Sequence, residues 1–122
     1  MNVGDIYWAD LPEVSGREQH GIRPVVILQD QSYSRRLPTI LVAPLTSTAA
    51  ASKFAGTLPI AKTAQNGLAY DSVLLVFQLR VLDKSRFHAR IGEVSAAMLD
   101  QIFAEFDRLT GRPGILNPPQ PA

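Results

Sequence analysis

The sequence has no cysteine and only two histidines. A chain without cysteine forms no disulfide and offers no thiolate to zinc, and two histidines do not build a multi-histidine metal site. The sequence also lacks a glycine-rich phosphate loop and the HExxH and GxSxG motifs. These absences remove the common nucleotide-binding, zinc-protease and acyl-transfer signatures from consideration.

Length and charge limit the remaining classes of protein. The chain has 122 residues, a net charge of +1 and 46% hydrophobic residues, which predicts one small domain whose core would benefit from a dimer. Such a weak positive charge is not typical of proteins that bind duplex DNA through their overall field. The first residues show no signal-peptide pattern and no apolar run reaches membrane-spanning length, so we expect a soluble, cytoplasmic protein.

Residues that favour β-structure occur in short runs separated by turn residues. The predicted strands cover residues 5–11, 23–29, 39–45, 54–60, 71–78, 79–82 and 89–94. This series predicts a mainly β fold, a small antiparallel barrel of six or seven short strands. We expect Ile6, Trp8 and Leu11 to face the core, and the unbroken apolar run of the second strand predicts burial on both of its faces. Asn66-Gly67 predicts a hairpin turn.

One segment predicts a long helix, residues 95–109, with Ser95 as its N-cap and Gly111 just after its end. The apolar stripe of this helix consists of Leu99, Ile102, Phe103 and Phe106. The chain therefore divides into a single domain over residues 1–112 and a proline-rich tail, 113–122, which we expect to be disordered.

Several polar residues stand at the ends of predicted strands. Arg23 begins the second strand, Thr46 and Ser47 end the third, and Gln78 ends the fifth. Because neighbouring antiparallel strands run in opposite directions, Arg23 and Thr46 could lie side by side. A guanidinium beside a hydroxyl suits a phosphate. The alternatives are an Arg23–Glu18 ion pair that finishes a strand end and a Thr-Ser turn without a ligand.

Four short blocks of residues carry a more specific signal. They are GDIYWADL (4–11), GREQHGIRPVVI (16–27), VAPLTS (42–47), and DS (71–72) followed by QLRVLDKSR (78–86). In this order they resemble the MazF/PemK family of toxin endoribonucleases, over nearly the whole chain from Gly4 to about Leu109.

The resemblance implies a fold, an activity and partners. The fold would be an SH3-like barrel with a C-terminal α-helix, assembled as a homodimer. The activity would be sequence-specific cleavage of single-stranded RNA without a metal or other cofactor, in which a 2′-hydroxyl attacks the adjacent phosphate and leaves a 2′,3′-cyclic phosphate and a 5′-hydroxyl. Arg23 and Thr46 match the family's catalytic arginine and threonine. An acidic, MazE-like antitoxin would hold such a toxin inactive.

Further residues are candidates for binding RNA or supporting the site. They are Arg17, Glu18, Gln19, His20, Ser47, Phe54 and Gln78. His20 has the pKa range of a general base, whereas Glu18 is better suited to bracing Arg23, and Arg17 to contacting the RNA backbone. Phe54 and Tyr33 could stack on bases or pack at an edge. Gln78 could read a base edge or bond to the backbone.

The sequence departs from the PemK branch of the family, in which an Arg-x-Asp contributes to catalysis. Here the matching positions are the apolar Leu75, Val76 and Phe77, which favours the MazF-like arrangement. Two other functions remain open for the same fold. A gyrase-poisoning toxin would resemble proteins that end in Trp-Gly-Ile, but the one tryptophan here is Trp8. A generic SH3-like interaction module would need clustered aromatics.

Overall fold

The computed structural model describes residues 1–12 and 21–112, which form seven β-strands and two α-helices. The strands are β1 (Asp5–Leu11), β2 (Gly21–Ile27), β3 (Thr39–Thr46), β4 (Thr57–Ile60), β5 (Ser72–Leu75), β6 (Arg80–Asp83) and β7 (Phe87–Glu93). The helices are α1 (Gln31–Ser34) and α2 (Ala96–Thr110), and short 3₁₀ turns cover Ala49–Lys53, Val76–Gln78 and Lys84–Arg86.

All strand pairs are antiparallel, and the sheet order is β4-β5-β3-β2-β1-β7. Besides β2, strand β3 has two further partners: its first half pairs with β6, and its last residues pair with β5. The described residues of β4 and β7 do not pair with each other, so the barrel is open between them. The predicted mainly β, barrel-like fold with a C-terminal helix is confirmed.

Two groups of buried apolar side chains form the core. The first contains Ile6, Val26, Leu28, Ala43, Leu45, Ile60, Leu68, Leu74, Val76, Val94 and Ile102. The second contains Ala9, Leu11, Val25, Ile27, Ile40, Val42 and Leu82. Successive residues of a strand point to opposite faces, and β2 contributes to both groups. Burial of β2 on both faces, as its apolar run predicts, is confirmed.

The long helix begins and ends where the sequence predicts. The hydroxyl oxygen of Ser95 accepts a hydrogen bond from the N–H of Met98 at 3.1 Å, and Gly111 adopts a left-handed conformation with φ 75°. Ile102 is fully buried in the first core group. Phe103, predicted for the apolar stripe, is 41% exposed, because it lies at the edge of the helix face that packs on the sheet.

The prediction that Trp8 faces the core is wrong. Ile6 and Leu11 are buried, but Trp8 is 41% exposed. Ile6 belongs to the first core group and Leu11 to the second, because their positions differ by five, and side chains an odd number of positions apart point to opposite faces of a strand. Trp8 shares the face of Ile6 but lies beyond that core group, where Pro24 is its neighbour across the strands.

Three predicted boundaries in the middle of the chain also differ. The fourth strand begins at Thr57 rather than at residue 54, since a 3₁₀ turn precedes it. The fifth strand ends at Leu75, and residues 76–78 form another 3₁₀ turn. Asn66 and Gly67 lie within a longer connection, residues 61–71, instead of a two-residue hairpin turn. At residues 54–56 and 76–78, tertiary contacts such as the hydrogen bond from the Phe77 N–H to the Gly56 carbonyl at 3.2 Å override the local preference for β-structure.

Among the described residues, no helix is long and apolar enough to cross a membrane.

Candidate active site

A groove of about 330 Å³ opens where β2 begins and β3 ends. It is lined by Trp8, Ile22, Arg23, Pro24, Leu45, Thr46, Ser47, Gly67, Leu68, Ala69, Tyr70, Ser72 and Ile91. This volume is in the range of small-molecule binding sites. Most of the lining side chains are apolar, and Arg23 is the one charged residue among these lining residues.

Strands β2 and β3 bring Arg23 and Thr46 to this groove. Val25 pairs with Pro44, and extending that antiparallel register by two residues sets Arg23 opposite Thr46. The Arg23 side chain is exposed, whereas Thr46 is buried with 7% of its surface accessible. The groove therefore combines the accessible guanidinium of Arg23 with the hydroxyl of a buried threonine, Thr46.

The hydroxyl of Thr46 is oriented by the turn that follows β3. Its Oγ1 accepts a hydrogen bond from the backbone N–H of Thr48 at 3.2 Å. This contact uses an oxygen lone pair, so the hydroxyl hydrogen can still be donated to a ligand. Ser47, the next residue, is exposed and also lines the groove.

Two exposed aromatic residues, Trp8 and Tyr70, line the same groove, and neither was a candidate from the sequence. Trp8 is 41% exposed and Tyr70 is 70% exposed. The sequence did contain a signal that Trp8 lies near Arg23, namely the antiparallel pairing of the first two strands. Once β1 and β2 are recognised as an antiparallel pair, Trp8 pairs with Pro24, next to Arg23. Tyr70 carries no such signal, because its position depends on the conformation of the 61–71 connection.

Asn66 organises that connection. Its side-chain oxygen accepts hydrogen bonds from the N–H groups of Thr63 and Leu68 at 2.9 and 3.1 Å, and its side-chain nitrogen donates to the carbonyl of Ala61 at 2.8 Å. The Asn66 N–H donates in turn to the hydroxyl of Thr63 at 3.0 Å. Asn66 is only 4% exposed, so these bonds are shielded from water and specify one conformation of the segment.

Two glycines let the connection pack directly on β7. Gly67 has φ 67°, and a Cβ atom there would overlap the carbonyl oxygen of Ile91. A Cβ on Gly92 would overlap backbone atoms of Asn66 and Gln65. The N–H of Glu93 donates to the carbonyl of Gln65 at 3.2 Å. The absence of side chains at both positions thus fixes how Leu68 and Tyr70 are presented to the groove.

The other sequence candidates lie in several places. Gln78 is half-buried at the end of a 3₁₀ turn and is not among the groove residues. Phe54 is 54% exposed, and its ring lies 6.1 Å from that of Phe77, which fits the packing alternative. Tyr33 is exposed on α1. Four candidates fall outside the described residues: Arg17, Glu18, Gln19 and His20.

Charged groups near the strands that form the groove make ion pairs of their own. Asp10 lies 3.9 Å from Arg86, and the buried carboxylate of Asp5 lies 3.2 Å from Arg90. No cluster of three potential metal ligands occurs in the part of the chain that the structure describes. Hydrogen bonds from the hydroxyl and N–H of Ser32 lower the pKa of Asp30, a residue that does not line the groove.

A family model described as "PemK-like, MazF-like toxin of type II toxin-antitoxin system" matches residues 2–109. The chain belongs to this family.

Individual relatives agree with this assignment to the PemK/MazF family. The chain is 38% identical over 102 residues to Endoribonuclease MazF of Staphylococcus saprophyticus, with 84% of each chain covered. It is 36% identical over 99 residues to Endoribonuclease EndoA of Bacillus subtilis, with 81% of this chain and 84% of the relative covered. The MazE–MazF structure (Form-II) from Deinococcus radiodurans matches with a TM-score of 0.70 at 25% identity, covering 91% and 96% of the two chains.

Proposed function

We propose that this protein is a toxin endoribonuclease that cleaves single-stranded RNA in a sequence-specific and metal-independent way. The observation that carries the proposal is that Arg23 and Thr46, which match the family's catalytic arginine and threonine, line one groove. The similarity to relatives named as endoribonucleases supports the same activity.

The two residues suit a reaction in which a ribose 2′-hydroxyl attacks the adjacent phosphate. The attacking oxygen forms a new P–O bond, and the bond to the 5′-oxygen breaks, which leaves a 2′,3′-cyclic phosphate and a 5′-hydroxyl. The pentacoordinate phosphorane between these states carries extra negative charge. Arg23 stabilises that charge with its permanently protonated, forked guanidinium, and the Thr46 hydroxyl donates a hydrogen bond to a non-bridging oxygen.

Two proton transfers complete the reaction. A base must accept the proton of the 2′-hydroxyl, and the leaving 5′-oxygen must receive one. Arg23 is a poor base because a guanidinium group stays protonated in proteins, although it can act as a donor. His20 and Glu18 remain the candidates for the base, with Arg17, Gln19, Ser47, Phe54 and Gln78 as candidates for binding RNA.

The family also suggests how the activity is organised in the cell. We place the toxin domain at residues 1–112 and regard 113–122 as an appended tail. The domain acts as a homodimer in the cytoplasm, and an acidic, MazE-like antitoxin holds it inactive. The antitoxin's flexible segment would occupy the RNA groove as a polyanion that folds on binding.

The test is cleavage of a long single-stranded RNA by the purified, antitoxin-free chain in EDTA. We expect cuts at one short sequence motif that leave 5′-hydroxyl ends. Arg23→Ala should lower the single-turnover rate by about 10²–10³-fold or more, and Thr46→Val by about 10²-fold, because each removes an interaction that strengthens in the transition state.

Arg35→Ala is the matched control, since Arg35 is an exposed arginine at the end of α1 and does not line the groove. Its rate should equal that of the wild type. If a folded wild-type protein cuts no RNA under these conditions, the enzyme proposal is wrong, and gyrase binding or a plain interaction module becomes the better reading.

A further inference from the structure

Trp8 and Tyr70 present exposed rings to the groove that also contains Arg23 and Thr46. We propose that these two rings stack on the bases that flank the phosphate held by Arg23. This inference rests on the proposed RNA cleavage at the same groove and adds to it the surfaces that bind the nucleobases.

Exposure of Trp8 is unusual for its place in the fold. Strand β1 pairs with β2 on one side and β7 on the other, and residues Ile6, Ala9 and Leu11 of this strand are buried. In the middle of such a strand, leaving 41% of a tryptophan exposed forgoes burial of a large apolar surface. A flat partner that covers the ring when it binds would recover this free energy.

The exposure of Tyr70 does not come from a loose loop. The backbone around it is held on both sides: its carbonyl accepts a hydrogen bond from the Ser72 hydroxyl at 2.9 Å, and the Asp71 carboxylate accepts one from the N–H of Lys62 at 3.0 Å. The Asn66 hydrogen bonds fix the preceding part of the same connection. A ring that is 70% exposed on so constrained a backbone is a preorganised binding surface.

The chemistry of the groove favours nucleobases as its occupant. Arg23 is the one charged residue among the lining residues that the structure describes, and it can hold a phosphate there. The remaining walls are largely apolar or aromatic, including Ile22 and Leu68. Nucleobases stack on aromatic rings whatever their sequence, so these walls suit the bases on either side of the bound phosphate. The groove therefore fits single-stranded RNA with one phosphate at Arg23 and bases on both rings.

Trp8 fluorescence reports directly on this contact, because Trp8 is the single tryptophan of the chain. The probe is a pool of random octamers with 2′-O-methyl ribose throughout, which cannot undergo 2′-hydroxyl attack. Its matched control is an abasic octamer of equal charge. We expect the base-bearing pool to quench Trp8 emission on binding, and the abasic octamer to leave the emission unchanged at equal occupancy.

Variants then separate stacking from other effects. In polarisation titrations, Trp8→Leu and Tyr70→Leu should each bind the labelled pool about 5- to 100-fold more weakly than wild type, as the loss of one stacked base predicts. Their affinity for the abasic octamer should equal that of wild type. Trp8→Phe and Tyr70→Phe retain a ring and should stay within about 3-fold of wild type. The control is Phe103→Leu, which also starts from a 41% exposed ring and should bind like wild type.

The proposal is overturned if the leucine variants bind the pool as tightly as wild type, or if they lose the abasic octamer equally, which would indicate general damage to the groove. It is also overturned if they keep RNA affinity and lose only an acidic antitoxin peptide. In all three cases wild type still cuts RNA, so the proposed function stands. A wild type that neither cuts nor binds RNA removes both proposals together.

Discussion

The two ends of the β2–β3 pair differ in how they use their polar groups. At the end where α1 connects the strands, Gln29 donates to the carbonyl of Thr39 at 2.9 Å and to the Ser34 hydroxyl at 3.2 Å, and accepts from the N–H of Leu41 at 3.2 Å. We call this the closed end. At the opposite, groove end, an exposed Arg23 and two exposed aromatic rings line the groove together with Thr46.

The difference teaches where function can reside in so small a domain. At the closed end, the side-chain amide of Gln29 is hydrogen-bonded to protein groups through both its oxygen and its nitrogen. These bonds contribute to stability, and they leave this amide with little to offer a ligand. At the groove end, the corresponding hydrogen-bond network is centred on Asn66, in the connection that forms one wall of the groove. These bonds fix the shape of the wall and leave the groove itself open. Hydrogen bonding therefore stabilises both ends, but only one keeps an accessible surface.

The largest expected effect comes from Gly67→Ala at the groove end. The new Cβ would overlap the Ile91 carbonyl and also force an alanine to φ 67°, so we expect a loss of about 3 kcal/mol or more of unfolding free energy, together with a loss of RNA cleavage. Urea unfolding and single-turnover cleavage measure the two effects. Gly111→Ala is the control, since Gly111 has φ 75° and open space around it; it should cost about 1–2 kcal/mol and leave cleavage unchanged.

A pair of amide side chains tests the comparison directly. Asn66→Ala leaves the N–H groups of Thr63 and Leu68 and the carbonyl of Ala61 without their hydrogen-bond partner. It should lower the unfolding free energy by about 2–4 kcal/mol, since each unsatisfied buried group costs about 1–3 kcal/mol. It should also weaken RNA binding, because the groove wall loses its fixed shape. Gln29→Ala removes a similar network at the closed end and should cost about 1–2 kcal/mol with RNA binding unchanged. Equal effects of both variants on RNA binding would contradict the distinction between the ends.

Salt dependence measures the charge that each end contributes to RNA binding. For single strands, the slope of log K against log salt changes by about 0.7 for each phosphate contact. Arg23→Ala should make the slope shallower by about that amount, whereas Arg35→Ala should leave it unchanged. A matching change in both variants would mean that the RNA path extends over α1 as well as the groove.

The smallest effect concerns Asp30 at the closed end, which caps α1 and accepts hydrogen bonds from the hydroxyl and N–H of Ser32. These bonds lower its pKa in the folded state. Its contribution to stability is therefore fully present above the unfolded pKa of about 3.9 and disappears as the pH falls through the lowered folded value. Asp30→Ala should destabilise the protein slightly at neutral pH and not at strongly acidic pH. Thermal unfolding over this pH range measures the effect, and neutral-pH cleavage should match wild type.

Much of this architecture follows from the sequence. Short apolar runs separated by turn residues predict six or seven strands, and the structure has seven. The unbroken run of β2 predicts burial on both faces, and Ser95 and Gly111 predict the two ends of α2. These features depend on neighbours within a few residues, which local sequence records. Antiparallel order also suffices to bring Arg23 and Thr46 to one groove.

Other features exist only once distant segments have packed. Trp8 follows the alternation of β1, yet whether that face meets the core or a groove depends on where the core group ends. Tyr70 reaches the groove because Asn66 folds the 61–71 connection and two glycines let it lie on β7. Such positions depend on long-range contacts between backbone atoms, and no periodicity of nearby residues encodes them. The sequence thus determined the fold and the Arg23–Thr46 pair, and tertiary packing decided the walls around them.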